Sequence, residues 1–300
     1  MRWTVGRRSQ NIEDRRGMGG GGGFGGSAVR VGGAGGIGVV VLALVAMFFG
    51  VDPSVVLNSG LGGGGGYDPG SVQYERPTGG AANPQEAQRE EFVSNVLADT
   101  EETWNGIFQA GGAQYAEPRL VLFSGAVQSA CGAAGSSTGP FYCPADQKVY
   151  LDLSFFDELE RKFGAPGDFA QAYVVAHEIG HHVQTLLGTS RRVNEARRQV
   201  SQEEGNMLSV AMELQADCYA GVWANNADRA GRVQFEAGDL EEGLRAAAAV
   251  GDDRIQRRSQ GYVVPESFTH GSSEQRVRWF RQGLQSGDVN SCDTFSARSF

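Results

Sequence analysis

Three hundred residues, 40% of them hydrophobic and 20% charged, are enough for one large domain or two small ones with a sizeable buried core. The net charge of −9 is unevenly spread: six arginines in residues 1–34 face only Glu13 and Asp14, so that segment carries +4 and the remainder −13. An acidic main body excludes the broad basic face that nucleic-acid phosphates require, so no nucleic-acid partner is expected.

Residues 1–35 are rich in arginine and glycine and lack apolar periodicity, which predicts a disordered segment. Between Arg30 and Asp52 lie 21 uncharged residues. The strongly apolar part, 37–51, spans about 22 Å as a helix against a hydrocarbon core of about 30 Å, and its glycine-rich flank brings it to spanning length. A cleaved signal peptide is the alternative, but the basic region before the span is long and no A-x-A site follows it. The expectation is a retained transmembrane helix over residues 36–57. The arginines before it predict a cytoplasmic N-terminus and an extracytoplasmic main body. Residues 58–82, with their Gly62–Gly66 run, read as a flexible linker, which leaves 83–300 as the folded domain.

Asn83-Pro84 is a good helix start, and Phe92, Val96, Trp104, Ile107 and Phe108 keep one apolar face to about Gln109. Arg119–Ser124 and Lys148–Leu153 have the β-branched and aromatic content of strands. Cys131 and Cys143 lie between them. With Cys218 and Cys292 they make an even count in an exported chain, most simply two disulfides, Cys131–Cys143 and Cys218–Cys292, although three connectivities are possible. A helix is predicted from Asp168 to Leu187 with Gly188 as its stop, then others over Asn206–Ala227, Asp239–Arg258 and Ser272–Leu284, the last with a capping box of Ser272 and Gln275. The fold class is α+β, mostly helical, with a small sheet near the helix that begins at Asp168.

That helix carries His177-Glu178-Ile179-Gly180-His181. Residues four apart share a helix face, so His177 and His181 can reach one ion, and Glu178 projects beside it as a general base. Zinc suits the set, because it accepts imidazole nitrogen and keeps a position open for water. His182 points about 100° away from His181 and reads as structural. The third ligand is sought on the next helix, where Glu213 and Asp217 are again four apart in an apolar stretch that makes stray carboxylates costly. Glu213 is assigned to the metal and Asp217 to the N–H of a ligating histidine. His270, in a loop before the last helix, is a candidate donor to the oxyanion, with Tyr262 or Tyr219 as alternatives.

Several long segments resemble a bacterial family of neutral zinc metallopeptidases. They are NIEDRR at 11–16, GPFYCPADQKVYLDLSFFDEL, FGAPGDFAQAYVVAHEIGHHVQ, ELQADCYAGVWA and GYVVPESFTHGSSEQRVRWF. The resemblance implies a single-pass, zincin-like enzyme of the gluzincin type, with His177, His181 and Glu213 as ligands of one zinc per chain and Glu178 as base. A partial likeness to the CAAX-prenyl-protease and heat-shock-protease gluzincins also exists. There, a Ser-Thr-His-Pro segment leads to an arginine; here Phe268-Thr269-His270-Gly271 leads to Arg276.

The function expected is hydrolysis of a peptide or protein substrate lying along an edge strand, with Lys148–Leu153 as the candidate. The alternatives are a cell-envelope scaffold with a purely structural zinc, and a zinc amidase acting on cell-wall peptides. Glu178 separates the first alternative from an enzyme, because a structural site needs no base.

Overall fold

Two of the described α-helices open on side-chain capping boxes, at Ser201 and Ser272. The computed structural model describes residues 1–3, 7–17 and 84–296. Two short strands come first, β1 (Arg2–Trp3) and β2 (Ile12–Asp14), and the description resumes at helix α1 (Pro84–Ala110), with proline in its first turn. Strands β3 (Arg119–Phe123), β4 (Ala126–Ser129), β5 (Gly132–Gly135), β6 (Phe141–Cys143) and β7 (Lys148–Asp152) follow. Next come helices α2 (Phe155–Arg161), α3 (Asp168–Leu186), α4 (Thr189–Arg197) and α5 (Gln202–Arg229). Strand β8 (Val233–Gln234) and helices α6 (Asp239–Ala249), α7 (Asp252–Gln260) and α8 (Ser273–Ser286) complete the order.

Helix α3 ends where Gly188 takes a left-handed φ of 73°, and α8 opens on the Ser272–Gln275 capping box. Helix α5 begins one turn earlier than expected, because Ser201 and Glu204 form their own capping box. The single helix expected over Asp239–Arg258 is two, α6 and α7, broken at Val250-Gly251. There the backbone of Gly251 packs so close to Ser273 that a Cβ would collide with it.

The main sheet has the order β2-β3-β7-β6, with β2, β3 and β7 parallel and β6 antiparallel at one edge. Strand β7 is therefore interior, and Lys148–Leu153 does not offer the free edge expected of it. One backbone row of β7 pairs with β3 over Lys148–Asp152, and the other pairs with β6 over Lys148–Tyr150. Residues 120–123 of β3 are all buried, as befits a strand covered on both faces. The core gathers α1, α3, α5, α6 and α8 around Trp104, Phe169, Tyr173, Trp223 and Phe280. Cys131–Cys143 ties β6 to the β4–β5 turn, and Cys218–Cys292 ties α5 to the segment after α8.

The N-terminal residues correct three expectations. Residues 1–3 and 7–17 are not disordered: β1 pairs with β8, and Ile12–Asp14 pairs in register with Leu120–Leu122. The Met1 ammonium donates to Asp168 at 2.8 Å and Asp239 at 3.2 Å, and Lys148 reaches Glu13 at 2.8 Å. Among the described residues no helix is long and apolar enough to cross a membrane. The spanning segment and linker expected over 36–57 and 58–82 lie outside the described residues. A cytoplasmic N-terminus opposite an extracytoplasmic domain is overturned on topological grounds. A single span would put β2 and β3 on opposite sides of the membrane, yet they are hydrogen-bonded neighbours.

Candidate metal centre

Two close helix contacts assemble the site. Gly180, inside the His177–His181 segment of α3, lies against α5 so tightly that a Cβ would stand 2.9 Å from the Ala216 carbonyl oxygen. Gly221 and Gly283 allow the same close approach between α5 and α8. Helix α3 thus presents His177 and His181 to Glu213 on α5, and α8 brings Arg276 in beside them.

The ligand-type atoms of His177, His181 and Glu213 lie within 4.8 Å of one another. One Glu213 oxygen is 3.2 Å from His177 Nε2 and the other 3.4 Å from His181 Nε2. Ligand atoms around a tetrahedral ion with bonds of about 2.0–2.2 Å stand about 3.3–3.6 Å apart, so this donor set fits zinc in spacing and in chemistry. The three residues are the only such trio holding a histidine among the described residues. In the other acidic group, Asp168, Asp239 and Glu242, the first two accept from the Met1 ammonium.

Both imidazoles have their second nitrogen fixed. His177 Nδ1 donates to Asp217 at 2.8 Å, and His181 Nδ1 donates to Gln184 Oε1 at 2.9 Å, which turns each Nε2 toward Glu213. Gln184 is itself buried and anchored, donating to the Met212 carbonyl at 2.7 Å. Asp217, fully buried, also accepts two bonds from Arg276, at 2.7 and 2.9 Å, and one from the Tyr173 hydroxyl.

Burial works against charge at every one of these groups, and opposite charges override it. For His177, burial lowers the pKa, but Asp217 and then Glu213 hold it up to about 9. For Glu213, burial raises the pKa, yet His181 and His177 hold it well below the ordinary carboxylate range. For Asp217, burial is likewise outweighed by Arg276 and His177, and the net shift is downward.

Glu178 is 8% exposed, adjacent to His177, and makes no side-chain hydrogen bond or ion pair with the described residues. His182 points elsewhere: its Nε2 donates to the Ala116 carbonyl at 2.6 Å, and its Nδ1 accepts from the Tyr142 hydroxyl at 3.1 Å, fastening β6 to α3. His270 sits in the loop before α8, with its side chain 41% exposed and close enough to Glu213 for that carboxylate to help raise its pKa. Asp252 shapes this loop. One of its oxygens accepts from the backbone N–H groups of Thr269, His270 and Gly271 at 2.6–3.0 Å, and the other takes His270 Nδ1 at 3.2 Å. Of the alternative donors, Tyr219 is buried edge-on against Trp104, and Tyr262 is 63% exposed.

The sequence reading assigned no place to Gln184, Tyr173 or Asp252, and noted Arg276 only through a resemblance. Gln184, three residues after His181 on the same face, had a readable signal; Asp252, 18 residues before His270, had none.

Comparison with known proteins adds the family. The sequence model described as "Putative neutral zinc metallopeptidase" matches residues 1–295. The uncharacterised protein YpfJ of Escherichia coli K12 is 47% identical over 296 residues, 98% of this chain and 99% of its own length. The uncharacterised proteins Mb2605 of Mycobacterium bovis and Rv2575 of Mycobacterium tuberculosis are each 43% identical over 262 residues, covering 84% of this chain and 85% of their own. No solved structure matches. A match over almost the whole length, on a chain that brings two histidines and a glutamate to one point, makes it a member of the family described as "Putative neutral zinc metallopeptidase".

Proposed function

We propose that the chain hydrolyses peptide bonds with one zinc ion held by His177, His181 and Glu213 and with Glu178 as general base. The observation that carries this reading is the pair of contacts from one Glu213 carboxylate to the Nε2 atoms of both histidines, with the unengaged Glu178 carboxylate next to them. Three protein ligands leave a position open, whereas a structural zinc is closed by four. When bound, zinc supplies a Lewis acid that polarises a carbonyl oxygen and lowers the pKa of a water to about 7.

The remaining steps belong to the side chains. Glu178 takes the proton from the attacking water at a carboxylate oxygen and passes it to the leaving amine nitrogen. His270, held in its loop by the bond between its Nδ1 and Asp252, is the donor to the carbonyl oxygen as negative charge builds there. Strand β6, the sheet edge fastened to α3 through Tyr142 and His182, offers its outer backbone row to an extended peptide.

Glu178→Gln tests the assignment, because the amide keeps the shape but cannot accept a proton. Zinc content should stay at one per chain while peptide hydrolysis falls by about 10²–10⁴-fold. Retained hydrolysis at full zinc content would remove Glu178 from the mechanism.

A further inference from the structure

A cavity of about 380 Å³ lies between the first half of α5 and the segment joining α7 to α8. Its apolar wall is made by Met207, Val210, Pro265 and Phe268, and Glu203 and Glu266 stand among its lining. The walls are tied together, since Asn206 Nδ2 donates to the Glu266 carbonyl at 3.0 Å.

Both walls lead to the metal centre. Val210 precedes Glu213 by three residues on α5, less than one helical turn, about 4.5 Å along the axis. On the opposite wall, Phe268 precedes His270 by two residues. An extended peptide advances about 3.3 Å per residue, so a substrate with its scissile carbonyl between Glu178 and His270 brings a neighbouring side chain within reach of this cavity. Met207 is 48% exposed on the wall, an apolar surface that an apolar guest would remove from water. Glu203 and Glu266 form no ion pair with a described cation, which leaves their negative charge to a guest.

Resting on the peptidase reading, we propose that this cavity is a specificity pocket of the same site. It takes a leucine-, methionine- or phenylalanine-sized side chain beside the scissile bond, and its two carboxylates favour a lysine or arginine next to that residue. The substrate class is thus a peptide with an apolar residue flanked by a basic one.

The test measures kcat/KM of the zinc-loaded full chain on matched fluorogenic peptides with Leu, Phe, Ala or Glu at one position and Lys or Glu at its neighbour. Leu and Phe should exceed Ala by at least about tenfold, the scale on which apolar pockets discriminate. Met207→Trp, which fills the cavity from an exposed position, should abolish that preference while the Ala peptide is still cut. Met207→Ala, which enlarges the cavity, should move the preference toward Phe. Glu203→Lys with Glu266→Lys should reverse the choice between Lys and Glu. Cleavage of all peptides without apolar preference, or a preference that neither Met207 variant moves, overturns the pocket and leaves the peptidase reading standing. Cleavage of none of them overturns both.

Discussion

At the scale of residues, the centre turns on Asp217. It accepts from His177, Arg276 and Tyr173 at once, so one buried carboxylate fixes the ring that faces Glu213 and neutralises the arginine beside it. This has a measurable consequence. In zinc-free protein His177 has its pKa raised to about 9, chiefly because Asp217 outweighs burial. A group raised in the folded state stabilises that state fully below its unfolded value near 6.5, and the contribution is lost as pH rises toward about 9. Zinc requires the neutral ring, so its uptake must displace that proton. Calorimetry at pH 7.5 in buffers of different ionisation enthalpy should therefore record release of about one proton or more per zinc, with affinity falling as pH drops below about 9. Release indistinguishable from zero would mean that His177 does not hold its proton against Asp217. The grouping of His177, His181, Glu213 and Asp217 was legible because helical spacing of four is a local rule. Asp252 was not, because its partners lie 17 to 19 residues away across a loop whose path no periodicity reveals.

At the scale of elements, the site depends on how closely helices approach. Gly180 is the residue that lets α3 touch α5 at Ala216, and the approach sets the distance from both histidines to Glu213. Gly180→Ala should destabilise the protein by about 1–3 kcal/mol, the usual cost of overpacking. It should also weaken zinc binding, read from thermal unfolding with and without added zinc. An unchanged unfolding temperature and zinc response would show that the helices have slack at this crossing. Helix boundaries were largely readable: Asp168–Leu186 ends at Gly188 as the left-handed stop requires, and Ser272 and Gln275 cap α8. The break between α6 and α7 was hidden because an apolar and charged pattern runs through Gly251, whose extended backbone lies where a Cβ would collide with Ser273.

At the scale of the whole molecule, the least legible feature is the part played by residues 1–3 and 7–17. Their sequence is polar and arginine-rich, and nothing in it alternates as a half-buried strand does. Their order comes from partners more than 70 residues distant: Ile12 beside Leu120, Glu13 against Lys148, and Arg16 against Glu90. A composition rule therefore assigned disorder where tertiary pairing supplies a strand, and the topology read from the arginines before the apolar span fell to the same β2–β3 pairing. The domain that results holds two histidines, a glutamate and a neighbouring carboxylate on helices joined by glycine contacts and by a disulfide between α5 and the segment after α8. The most direct test of this account is to strip the full chain with a chelator, add zinc back stepwise, and follow peptide hydrolysis. Activity should vanish on chelation, rise in proportion to added zinc and level off at one ion per chain. Hydrolysis that survives chelation, or that is absent at every zinc loading, would contradict it.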